Sequence, residues 1–114
     1  VDIQVDTSVS VEVPTLILQP IVENAIKHGA MKRDMGKVMI IGENKGEFYS
    51  VTVKDNGPGM SSQALDAFYQ HKKTGKYGLQ NVDDRMKSIY GAEHGLEIKT
   101  GEQGTEMTMN FFAI

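Results

Sequence analysis

Two stretches of this chain turn back on themselves at short polar loops, and this constrains the fold more than any other feature. Residues 38–41 and 48–53 are strand-like runs on either side of Asn44-Lys45-Gly46, and residues 96–100 and 105–112 flank a second turn over 101–104. Runs of this kind separated by a few turn residues read as β-hairpins. In the first hairpin Tyr49, Val51 and Val53 alternate with Ser50, Thr52 and Lys54, so one face is expected to be buried. Residues 1–6 alternate in the same way, and 9–13 keep an extended character.

Between these runs the apolar period lengthens to that of helices. Pro14 opens a segment in which Leu16, Ile17, Ile21, Val22, Ala25 and Ile26 recur three and four positions apart, with Gly29 as its natural stop. Pro20 inside that stripe removes one backbone hydrogen bond and predicts a kink or a late start. Residues 61–69 read as a short helix capped by Ser61 or Ser62. Residues 78–90 form the clearest helix, with Leu79, Val82, Met86 and Ile89 on one stripe and Gly91 beyond its end. Strands gathered into hairpins with helices between them predict an α+β fold. It is a two-layer α/β sandwich in which about three helices cover one face of a mixed, mostly antiparallel sheet.

The chain has 114 residues, enough for one compact domain over 1–114 and too few for two. A net charge of -3 provides no broad basic field, so nucleic acid is not expected as a partner. The absence of cysteine excludes disulfides, zinc–thiolate sites and cysteine nucleophiles. No apolar run approaches the roughly 20 residues a membrane-spanning helix needs. The chain begins directly in strand-like sequence without methionine, so it is expected to be one unit of a longer protein.

Four segments carry residues suited to a nucleotide. In Glu23-Asn24-Ala25-Ile26-Lys27-His28-Gly29, a helix would place Asn24, Lys27 and His28 on one polar edge. An amide oxygen suits Mg²⁺, and an ammonium suits phosphate oxygens. In Asp55-Asn56-Gly57-Pro58-Gly59 a carboxylate at the end of a buried strand precedes glycines that admit close backbone approach. Residues 74–81 form a glycine-containing loop leading into a helix, with Lys72, Lys73 and Lys76 before it, a setting that offers N–H groups to an anion. Gly104-Thr105 opens the last strand. Each segment alone reads equally well as a solvated helix edge, a tight turn or a flexible loop. Their order and spacing carry the inference.

At these residues the chain resembles the ATPase superfamily of gyrase, the Hsp90 chaperone, MutL and histidine kinases, whose fold is of the Bergerat type. Residues 18–29, reading LQPIVENAIKHG, resemble the N box; Asp55 to Gly59 the G1 box; Gly75 to Asn81 the G2 box; and Gly104-Thr105 the last glycine–threonine element. The wording of residues 18–29, together with GLQNVDDR at 78–85, is similar to the sensor histidine kinases of the LytS and YesM groups. The resemblance implies ATP and Mg²⁺ as cofactors, with Asn24 as metal ligand and Lys27 and His28 at the phosphates or ribose. It gives Asp55 the adenine amine, supported by Thr105 through water, and Gly57 and Gly59 the close approach to the base. It places Gly75, Lys76, Gly78 and Leu79 at the phosphates, residues 61–76 as a lid, and Met60, Ile21, Val53 and Leu79 as apolar walls.

The implied activity is transfer of the γ-phosphoryl group of ATP·Mg²⁺ to a histidine on the neighbouring dimerisation domain. A response regulator lies downstream, and the parent is a membrane-anchored homodimer of the bacterial inner membrane with this unit in the cytoplasm. Two departures stand out. Pro20 occupies the place where ATP-hydrolysing relatives carry a water-activating glutamate, and Lys76 falls where the G2 box has its first glycine. Two alternatives remain: a serine kinase of the anti-sigma-factor type, and a nucleotide-binding or interaction module without transfer activity.

Overall fold

The computed structural model describes residues 2–7, 15–32, 34–70 and 79–112. Pro14, the extended run at 9–13 and the basic stretch at 71–78 lie outside them. Five strands form one sheet in the order β1-β2-β3-β5-β4. β1 (Asp2–Thr7) runs parallel to β2 (Lys37–Asn44), with helix α1 (Thr15–Asn24) in the crossover between them. β2 pairs antiparallel with β3 (Phe48–Asp55), β3 with β5 (Gly104–Phe112), and β5 with β4 (Glu97–Gly101). Both hairpins form where the turn residues stand. Asn44 closes the first, its Oδ1 accepting the Gly46 N–H at 2.9 Å.

The sheet is mixed and mostly antiparallel, as the hairpin pattern requires. Val51 and Val53 of β3 and Met107, Met109 and Phe111 of β5 are buried in one core with Ile21, Ala25, Val82 and Met86 from the helical layer. Burying this many full-sized apolar side chains, each worth about 1.5–3 kcal/mol, holds the two layers together. The other face keeps polar cross-strand pairs. The Thr52 and Thr108 hydroxyls meet at 3.0 Å, and Lys54 reaches Glu106 at 3.2 Å.

Three helical details bear on the sequence expectation: the cap of α2 agrees with it, and the other two differ. First, the segment carrying Pro20 does not stop at Gly29. α1 continues as a single π turn over Ala25–Gly29 and a 3₁₀ turn over Ala30–Lys32, and the Ala30 N–H donates to the carbonyls of both Ala25 and Ile26. Second, α2 (Ser62–Tyr69) has Ser61 as its cap, whose Oγ accepts the Ala64 N–H at 3.1 Å. Third, in α3 (Leu79–Tyr90) the inward stripe is Leu79, Val82 and Met86, while Ile89 is 45 % exposed. Four residues on from Met86 is Tyr90, which packs edge-on against Phe111 at 6.0 Å and takes the place expected for Ile89. Among the described residues no helix is long and apolar enough to cross a membrane.

Candidate functional site

Asp55 ends β3 directly opposite Thr105 of β5. Its Oδ1 accepts the Gly57 N–H at 2.9 Å, and the backbone of Thr105 donates to the same carboxylate. Burial raises its pKa above the ordinary 3.8, and the two backbone bonds work against that rise. The result is a half-buried carboxylate with acceptor capacity left over, since an ionised carboxylate has about four lone-pair sites.

The backbone closes in on this carboxylate from two sides. A Cβ at Gly29 would collide with the Asp55 side chain, and one at Gly57 would collide with the Gly29 backbone. Gly29, expected only as a helix stop, is therefore where the π turn touches the base of the site. The chemistry of the approach requires the missing side chain. Asn56, which reads in the sequence only as a turn residue, fixes the adjoining loop. Its Oδ1 accepts the Lys37 N–H at 2.7 Å and its Nδ2 donates to the Met35 carbonyl at 2.8 Å.

Asn24 lies at the junction of α1 and the π turn, 6 % exposed. Its Nδ2 points to the Met107 sulfur at 3.9 Å, while its Oδ1 is buried with no hydrogen-bond partner. A buried carbonyl oxygen without a donor is uncommon and calls for an explanation. An oxygen-preferring cation such as Mg²⁺ fits it. Met107 and Thr105 are two residues apart on one strand, so they share a face, about 7 Å from each other. Asn24 and Asp55 thus converge on the same side of the sheet from separate segments of the chain.

The polar edge expected for Asn24, Lys27 and His28 is altered by the π turn. An i→i+5 bond widens the turn and carries Lys27 to solvent, while Asn24 is buried and His28 half-buried. Glu23 is exposed and accepts from the Gln19 amide at 3.1 Å, directed away from Asn24's buried side. Of the four expected apolar walls, Ile21, Val53 and Leu79 are core residues no more than 3 % exposed. Only Met60 presents surface. Gly59 (φ 85°) and Gly104 (φ 138°) sit at the two turns bordering Asp55. Gly75, Lys76 and Gly78 lie outside the described residues, so the phosphate loop stands as a sequence expectation.

A two-layer α+β sandwich with this crossover and hairpin order is the fold of histidine kinase catalytic domains. The chain superposes on the blue-light activated histidine kinase of Erythrobacter litoralis with a TM-score of 0.74 at 23 % identity, covering 96 % of this chain and 34 % of that one. It superposes on the Acinetobacter baumannii histidine kinase AdeS with a TM-score of 0.72 at 17 % identity, covering 97 % and 53 %. Residues 10–113 match the family model described as histidine kinase-, DNA gyrase B-, and HSP90-like ATPase. The chain belongs to that family. Among curated relatives it is 36 % identical over 105 residues to the sensor histidine kinase YpdA of Escherichia coli, covering 90 % of this chain and 18 % of that protein. It is 32 % identical over 109 residues to the sensor protein LytS of Streptococcus mutans, covering 91 % and 19 %. The chain thus spans about a fifth of the length of these relatives.

Proposed function

We propose that this chain is the ATP-binding catalytic domain, over residues 1–114, of a sensor histidine kinase. It transfers the γ-phosphoryl group of ATP to a histidine supplied by a neighbouring dimerisation domain. The observation that carries the reading is the meeting, on one face of the sheet, of an acceptor-only carboxylate backed by glycine backbone and a buried amide oxygen without a donor. Asp55 suits the exocyclic amine of adenine, with Thr105 beside it. Gly57 and Gly59 let the turn lie against the base. Asn24 would hold Mg²⁺, which when bound neutralises charge on the phosphate oxygens. Lys27 and His28 would border that end, and Gly75, Lys76, Gly78 and Leu79 would complete the phosphate contacts.

Transfer is favoured over hydrolysis by the side chains of α1. Pro20 has no carboxylate, and Glu23 is turned to solvent. Phosphoryl transfer then depends on holding the donor in line with an outside nucleophile and neutralising its charge. The acceptor would not be a histidine of this chain. His28 adjoins Gly29, which packs against Asp55; His71 lies outside the described residues; and His94 meets Phe112 at a tilt, with ring centres 4.3 Å apart. The parent would be a membrane-anchored homodimer of the bacterial inner membrane, with this unit cytoplasmic and a response regulator downstream, and no nucleic acid.

Calorimetric titration of ATP with and without Mg²⁺ tests the site at both ends. Asp55→Asn should lower affinity by roughly 10- to 100-fold with or without metal, as expected for losing a hydrogen bond to a charged group. Asn24→Ala should abolish the gain in affinity on adding Mg²⁺ and leave metal-free binding within about twofold, because its oxygen would act on the cation alone. Equal losses for both variants, or no nucleotide binding by the wild type, would refute the assignment.

A further inference from the structure

Thr100 sits in β4, on a strand that carries none of the residues assigned to the site, yet its hydroxyl lies at a junction. It accepts the Met60 N–H at 2.8 Å, across forty residues of sequence, and lies 2.8 Å from the Thr105 hydroxyl, its cross-strand partner. Thr105 is in turn 4 % exposed and donates through its backbone to Asp55. Gly59 packs so closely here that a Cβ on it would strike the Gly101 carbonyl and come within 3.0 Å of Thr100 Oγ1. A second tether runs from α2 to the same strand, where the Tyr69 hydroxyl donates to the Ile98 carbonyl at 3.4 Å.

We infer that Thr100 is a positioning residue of the base-recognition site, setting the hydroxyl direction of Thr105 and fixing the root of the lid segment at Met60. This rests on the proposed nucleotide reading. A hydroxyl has one proton to give. An oxygen already accepting from the Met60 N–H is polarised toward donating its own proton, because hydrogen bonds in a chain reinforce one another. That proton goes to Thr105 Oγ1, which leaves the Thr105 proton free to be offered outward. The base end then presents an acceptor, Asp55, beside a donor, Thr105. That pair matches a purine edge with an amine next to an unprotonated ring nitrogen, as in adenine. It opposes guanine, where a carbonyl stands next to an N–H. Thr100 therefore acts on base choice without touching the base, and it ties that choice to the segment that begins the lid.

The test uses Thr100→Val, which keeps the shape and removes the hydroxyl, and Thr100→Ser, which restores it. ATP and GTP affinities are measured by calorimetry, and exchange of the Met60 amide is measured by NMR on the nucleotide-free chain. Thr100→Val should weaken ATP binding by roughly three- to tenfold, the value of about one hydrogen bond, and narrow the ATP-over-GTP ratio by a similar factor. It should also speed Met60 exchange by about tenfold or more. Thr100→Ser should stay within about twofold of wild type in all three. ATP binding and base preference unchanged in Thr100→Val would overturn the inference while leaving the nucleotide site standing. Equal losses in Thr100→Val and Thr100→Ser would also overturn it, by showing that the methyl group and not the hydroxyl matters. A wild type that binds no ATP would overturn the nucleotide reading and this role together.

Discussion

Under the proposed function, Asp55 answers to two demands that pull in opposite directions. Burial raises its pKa above 3.8, so the folded chain binds this proton more tightly than the unfolded one. In the window between 3.8 and the raised value the native state carries more proton, so ionising Asp55 lowers stability as pH rises through it. Recognition of an amine, by contrast, needs the ionised form. Two consequences are measurable. In thermal melts across a pH series, Asp55→Asn should gain on the wild type as pH rises from below 3.8 toward neutrality. ATP affinity of the wild type should fall on acidification at a pH above 3.8, and that fall should be absent from whatever binding Asp55→Asn retains. A stability gap that moves the other way would mean the carboxylate is stabilised where it sits. Asn24 poses the same trade in a neutral group: an amide oxygen left without a donor in the apolar layer costs stability that a bound cation would recover.

At the scale of elements, the helices are held by contacts that reach well beyond their own periodicity. α3 is pinned to the start of β4 by Asp83, which is 3 % exposed, accepts the Leu96 N–H at 2.9 Å and pairs with Lys87 at 2.9 Å. Gly95 makes room for it, since a Cβ there would meet Asp83 Oδ1. Removing this carboxylate strands a buried N–H and one ammonium. Asp83→Ala should therefore cost about 2–4 kcal/mol in denaturant unfolding. The Lys45–Glu43 pair has a similar 2.8 Å separation but half-exposed side chains. Glu43→Ala should change stability by less than about 0.5 kcal/mol. If the two losses came out alike, burial would not be what distinguishes them. Because α3 begins at Leu79, beside the expected phosphate loop, the Asp83 clamp also sets where that helix's first N–H groups stand.

For the whole molecule, the proposed function separates binding from transfer. The site's two ends rest on one face of a sheet, and the acceptor is expected on another domain. Incubated alone with γ-labelled ATP and Mg²⁺, the chain should bind nucleotide yet take up almost no label. Strong labelling of His28, His71 or His94 would show that the acceptor lies within. Much of this layout was legible in the sequence. The hairpin turns, the cap at Ser61, the inward positions Leu79, Val82 and Met86, and the strand-end carboxylate at Asp55 all follow from local periodicity and turn chemistry. Other features were not. Gly29 against Asp55, Thr100 against Met60, and the buried Asp83 join segments that no local pattern relates. The π turn that swings Lys27 outward also escaped, because a single i→i+5 bond leaves no trace in a helical stripe.

By itself, the sequence determined most of the residues that turn inward (Ile89 excepted), where the chain reverses in its hairpins and which chemical groups stand at strand ends, since these depend on neighbours within a few positions. Only the tertiary structure decided which of those groups meet. Packing the helical layer on the sheet brings Asn24 to Met107 across eighty-three residues and aligns Asp55 with Thr105. Contacts of that kind arise from burial and close approach between distant segments, and no period in the chain encodes them.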